Sequence, residues 1–132
     1  MASTPSYVST PKVGAAEIAT ANANRDGTGT VGTIFTAGAS GSRIDSVMLK
    51  ARVTTTAGMV RLFVYTGTTY YLLAEIPVGA VTVAATTPAW EAQLTTNTMS
   101  NILPIILPTG YSLRASTEKA EAINVLAFGG DF

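Results

Sequence analysis

The chain has 132 residues with 12% charged, eight basic against eight acidic, and a positive mean hydropathy. That length suits one domain with a core of its own, while the absence of cysteine and histidine removes disulfides, thiol nucleophiles, the Ser-His-Asp triad and ordinary zinc sites. Balanced charge argues against nucleic acid, which needs clustered Lys and Arg, and no apolar run approaches the ~20 residues that span a bilayer.

Residues 1–14 contain Ser3, Thr4, Pro5, Ser6, Ser9, Thr10 and Pro11, with Tyr7 and Val8 as the sizeable apolar side chains. So little apolar surface, together with two prolines, predicts an extended arm preceding a single domain over 15–132. Residues 15–20 are open to a short strand or a helical turn. An Asp26-Gly27 turn signal precedes a strand over 28–37 carrying Val31, Ile34 and Phe35, and the glycines of 38–41 read as a hairpin connection.

The longest alternating run is 44–53, with Val47, Leu49, Ala51 and Val53 on one side and Met48, Lys50 and Arg52 on the other. Turns at 54–58 and 66–69 separate it from strands over 59–65 and 70–78, and the three are expected to form a meander. Val81-Thr82-Val83 is a candidate edge piece. Trp90, Ala92 and Leu94 alternate with Glu91 and Gln93, so the single tryptophan reads as a core anchor, with a sugar platform as the sharper alternative. Residues 102–107 are apolar but interrupted by Pro104, which confines them to an edge or a buried loop. A Pro108-Thr109-Gly110 turn leads into 111–116, where Tyr111, Leu113 and Ala115 face inward. The last strand, 123–128, sets Ile123, Val125 and Ala127 against Asn124, Leu126 and Phe128. Helix is expected for at most a turn or two, near 15–21 and 118–122. About eight short strands with regularly spaced turns describe an all-β antiparallel sandwich, jelly-roll-like, with an N-terminal arm.

Catalytic constellations are hard to assemble from these residues. Glycoside hydrolysis needs two facing carboxylates, and Glu75 and Glu91 are the strand-borne candidates, each on the polar side of its strand. Asp26, Asp45 and Asp131 are too scattered for a calcium loop. Gly27-Thr28-Gly29 lacks the helix and lysine of a phosphate-binding signature. The expectation is a protein that is not an enzyme and holds no cofactor or metal.

What does carry functional content is the second face of several strands. Opposite Val60, Leu62 and Val64 stand Arg61, Phe63 and Tyr65. Opposite Leu72, Ala74, Ile76 and Val78 stand Tyr71, Leu73 and Glu75. Side chains alternate between faces, so one core accounts for only one set, and apolar residues left over mark a contact with a partner. Phe63, Tyr65, Tyr71, Leu73, Leu126 and Phe128 are the predicted contact residues, with Tyr7 and Val8 as arm anchors. The alternatives are a second cover supplied by the chain itself and an aromatic groove for glycans. On the contact reading, replacing Phe63 and Tyr71 with Ser leaves a folded protein that no longer binds its partner.

The run 37–45, AGASGSRID, the run 54–63, TTTAGMVRLF, the segment 107–117, LPTGYSLRAST, and the ending 127–131, AFGGD, resemble small structural proteins of tailed bacteriophages. The likeness covers residues 30–132 and lies in turns and strand edges. It implies a virion component located on the capsid surface, in a decorating or cementing role, assembled with itself as a homotrimer and bound to the major capsid protein. A tail or baseplate subunit and a carbohydrate-binding module for host attachment are the alternative roles. It brings no catalytic residue with it.

Overall fold

The computed structural model describes residues 8–95 and 103–132. They contain nine strands and no helix: β1 (Thr10–Ile18), β2 (Gly32–Thr36), β3 (Ser42–Ala51), β4 (Gly58–Tyr65), β5 (Tyr70–Val78), β6 (Glu91–Leu94), β7 (Ile105–Leu107), β8 (Ser112–Thr117) and β9 (Ile123–Asp131). The strands form two antiparallel sheets. One runs β1-β9-β3-β6, with β7 pairing the same edge of β3 further along, and the other runs β2-β8-β4-β5.

The pairing is nested. If β6 and β7 are taken as two pieces of one interrupted strand, the first strand pairs with the last, the second with the next to last, the third with the sixth and the fourth with the fifth. One long hairpin rolled into two facing sheets gives this order, which is that of a jelly roll. The facing sides of both sheets supply the core: Ile44, Leu49, Val125 and Ala127 from one, Phe35, Val60, Leu62 and Leu113 from the other. Trp90, half-buried, packs against this core beside Ala92, as its alternation predicts.

Rolling explains several departures from the sequence reading. The residues of 38–41 do turn, with Gly41 at φ 86° and its N–H donating to the Gly38 carbonyl, but β2 and β3 belong to different sheets, so the connection is not a hairpin. The expected meander splits for the same reason: β4 and β5 pair, while β3 lies in the other sheet. Adjacent strands in sequence cross between layers here, and local alternation does not record which layer a strand joins.

Residues 10–14, expected within an arm over 1–14, are strand. β1 begins at Thr10 and pairs with β9 along its whole length, Thr10 opposite Asp131 through Ile18 opposite Ile123, so residues 10–14 are part of the sheet. Gly14 is where β1 crosses β2 closely; a Cβ there would sit 2.2 Å from the Ile34 carbonyl oxygen. The two edges are held by Lys12, which donates to the Thr36 carbonyl, lies 3.4 Å from Asp131 and stands 4.7 Å over the Phe35 ring. Of the two readings left open for 15–20, 15–18 is strand, and the helical turn expected over 118–122 is a bend over 118–121.

Candidate interaction surface

The contact residues expected from alternation depend on which way each strand faces, and a bulge between β4 and β5 changes that. Leu62 opposes Ala74, but Phe63 opposes Leu72, so Leu73 is the extra residue. A one-residue slip sends every following side chain to the other face. Leu73 therefore joins Ala74 against the core, next to Leu62 and Leu113, while Leu72 and Tyr70 share the outer face with Phe63 and Tyr65. The placement of Tyr71 and Leu73 on the outer face, opposite Leu72, is thus corrected. Tyr71, opposite Val64 on an edge strand, is nevertheless 61% exposed.

Most of the outer face of β2-β8-β4-β5 is covered by the chain itself, with Leu72 left 38% exposed at its edge. Phe63 is 0% exposed and meets Tyr70 edge to face with ring centroids 6.0 Å apart. Tyr70 in turn lies 4.3 Å from Tyr65, and the Arg114 guanidinium sits 4.2 Å over the Tyr65 ring and donates to the Tyr70 hydroxyl at 3.1 Å. Onto this cluster folds the β1–β2 loop, residues 19–31. Gly27, at φ 87°, lies so close to Tyr70 that a Cβ would come within 2.3 Å of the ring. Glycine serves there twice, tolerating the positive φ and leaving room for the ring.

Polar contacts hold the loop in place. The Asn22 backbone N–H donates to the Thr117 carbonyl, and its side-chain amide donates to the carbonyls of Thr28 and Thr30, both at 2.9 Å. Asp26 accepts from the Thr28 N–H and hydroxyl, the local pattern of an Asx turn. Beneath the loop lies Arg61, 3% exposed, whose Nε is 3.1 Å from Glu75; Arg25 of the loop reaches the same carboxylate oxygen at 2.9 Å. Hydrogen bonding from Arg25, with Arg61 adding to it, holds the Glu75 carboxyl below its ordinary value. Phe63 was expected to face a partner; its cover is internal, and the Phe63-to-Ser test would disrupt the fold itself.

The outer face of β1-β9-β3-β6 has no such cover among the described residues. The register aligns its side chains in cross-strand rows: Val13, Phe128 and Ser46 in one, and Ala15, Leu126, Met48 and Gln93 in the next. Val13 is 58% and Phe128 38% exposed, with Leu126 and Met48 half-buried. Shallow hollows flank the central strand on both sides, one between Phe128, Met48 and Gln93 and one between Ala15, Leu126 and Asn124.

Charged pairs frame these rows. At one end Glu17 accepts two hydrogen bonds from Arg52, at 2.8 and 3.2 Å, and Lys50 bonds Glu91 at 3.0 Å. At the other, Arg43 bonds Asp45 at 2.7 Å, with Ile106 exposed alongside. The Arg52 hydrogen bonds lower the Glu17 carboxyl below its ordinary value. Asp131 at the strand end is lowered too, chiefly by the Ser42 hydroxyl that donates to it.

Of the expected contact residues, Leu126 and Phe128 thus lie together on the open face, Phe63 and Tyr65 lie in the cluster with Tyr70, Leu73 packs toward the core, and Tyr71 stands apart on an edge. Val8 is half-buried near Gly130; Tyr7 lies outside the described residues. Val13, Ala15 and Met48 complete the open patch and were not among the expected residues. Their signal was the alternation of Val13, Ala15 and Glu17 against Gly14, Ala16 and Ile18, which the Ser/Thr/Pro composition just before it obscured.

Glu75 and Glu91 project from opposite outer faces of the sandwich, with both sheets between them, so they cannot act as a catalytic pair. Among the described residues no three acidic side chains gather where they could hold a metal ion, and no helix is long and apolar enough to cross a membrane. No protein-family model, curated protein or solved structure matches the chain.

Proposed function

We propose that this chain is a structural subunit that works by association, decorating the capsid of a tailed bacteriophage and stabilising the assembled shell. One observation carries the associative part: a sheet face whose central rows are apolar and uncovered by the described residues, on a chain that has laid a loop of its own over most of its other sheet. At ~25 cal/mol per Å² of apolar surface removed from water, burying several such side chains contributes several kcal/mol per contact, which a repetitive shell multiplies. The phage setting comes from the resemblance in residues 30–132; a jelly roll hosts many functions, so the fold by itself selects none.

In this reading the protein binds the assembled shell and not separated capsid subunits, stabilising the shell by mass action. The test is to incubate the purified chain with empty shells and with unassembled major capsid protein, sediment both, and melt the shells with and without it. Co-sedimentation with shells alone and a raised shell melting temperature are expected. Failure to bind shells, or images of virions placing the protein on the tail or baseplate, would end the capsid assignment.

A further inference from the structure

We infer that the open face of β1-β9-β3-β6 is a self-association surface, on which two copies of the chain pack sheet against sheet about a two-fold axis. The inference rests on the reading of association as the protein's work, but names the occupant of the face and its symmetry, a dimer where the resemblance implies a trimer.

Charge is the first ground. Every charged side chain framing the patch is paired within its own chain, Glu17 with Arg52, Lys50 with Glu91 and Arg43 with Asp45. The face therefore carries no net charge. A surface shaped for a partner of one charge would show the opposite excess, because electrostatic complementarity is what selects a partner and excludes others. A face that is neutral in pairs meets its own copy without like-charge repulsion.

Geometry is the second. Val13, Ala15, Leu126, Phe128 and Met48 occupy two adjacent rows on three neighbouring strands, with charged pairs beyond them at both ends. An apolar centre within a polar rim is the anatomy of a protein interface. Contact between like patches is isologous and closes at two copies, whereas a trimer needs two different surfaces that fit one another. Two sheets packed face to face bury their apolar sides ~10 Å apart, as the two halves of this sandwich already do.

Area is the third, and it sets the strength. β1 and β9 have nine residues and β3 ten. With strands about 4.8 Å apart and ~3.3 Å per residue, the three strands offer roughly 440 Å² a side. That is below the ~600 Å² per partner that specific interfaces bury at the least. The dimer is accordingly expected to be weak and dependent on concentration.

The test is sedimentation equilibrium of the full chain from low micromolar concentration to its solubility limit. The expected result is a reversible monomer–dimer equilibrium. Phe128→Asp, on the central strand, and Val13→Asp, on the edge strand, should each weaken dimerisation by about a hundredfold, by burying an unpaired carboxylate in the apolar patch. Circular dichroism spectra like the wild type's would confirm that both variants fold. Tyr71→Asp, an exposed aromatic on the other sheet, should leave the equilibrium unchanged. A wild-type chain that stays monomeric, one that forms a trimer, or a dimer that survives both face substitutions would overturn the proposal. Shell binding is read separately: a chain that binds shells as a monomer defeats the dimer alone, and a dimer that ignores shells defeats the capsid assignment alone.

Discussion

The two sheets of this sandwich begin with the same problem and solve it differently. Each has a core side and an outer side that bears more apolar surface than water tolerates comfortably. On β2-β8-β4-β5 the solution is internal: thirteen residues of loop, 19–31, lie over Tyr70, with Arg25 bonding Glu75 and Asn22 tying the loop to Thr117. On β1-β9-β3-β6 the rows through Phe128 and Leu126 stay open. The contrast teaches that an apolar second face is not by itself a sign of a partner. The sign is an apolar second face that the described residues leave bare while a loop lies over the other.

The sharpest way to break this contrast is to make the same change on both faces. Phe63→Ala removes a fully buried ring and should destabilise the monomer by about 3–5 kcal/mol, the usual range for such cavities. Denaturant unfolding at low protein concentration measures it. A loss below about 1 kcal/mol would mean that the loop shields Phe63 without packing on it, and the two faces would no longer differ in kind.

Gly27→Ala tests the cover by a change made in the loop. The new methyl must occupy the space of the Tyr70 ring and accept a φ of 87°, so about 1–3 kcal/mol of destabilisation is expected. The loss should be local: faster amide exchange and protease cleavage within 19–31, with the core strands still protected. Uniform loss of protection across both sheets would show that the loop is integral to the fold rather than a lid on one face.

Much of this architecture could be read from the chain. Val47, Leu49 and Ala51 against Met48 and Lys50, or Ile123, Val125 and Ala127 against Leu126 and Phe128, place core and outer faces correctly because those strands run unbroken over these residues. The β4–β5 faces failed at Leu73 because a bulge is a relation between two strands and leaves no mark on either alternation alone. The cover of Phe63 was illegible for a different reason. Asn22, Asn24, Asp26 and Thr28 look like any solvated loop, and only the fold reveals that their polar groups are spent on one another and on Thr117, leaving the glycine backbone to pack on Tyr70. The nested pairing, finally, joins residues as far apart as Thr10 and Asp131, which no local pattern encodes.

Acid should loosen the loop that lies over the covered face. Hydrogen bonds from Arg25 and Arg61 lower the Glu75 carboxyl in the folded chain, so the stability it contributes is present above the ordinary glutamate value and is lost as pH falls through the lowered one. Protonating Glu75 frees Arg25 and leaves the buried Arg61 with Glu118, 3.9 Å away, as its remaining acidic neighbour. Amide exchange in 19–31 should rise as pH falls through the acidic range. Glu75→Gln should flatten that pH dependence. Equal acid sensitivity in wild type and variant would assign the loop's hold to Asn22 and Gly27 alone.

The smallest effect belongs to the open face. Phe128→Ala, measured where the chain is monomeric, should change stability by no more than about 1 kcal/mol, since a ring 38% exposed leaves little cavity and breaks no hydrogen bond. The same substitution at high concentration should remove whatever stabilisation association adds, because binding confined to the native state raises apparent stability with concentration. The informative quantity is therefore the difference between the two conditions. A large loss in the dilute monomer would show Phe128 to be part of the fold's own packing, and the two faces would then be covered alike, one by a loop and the other by itself.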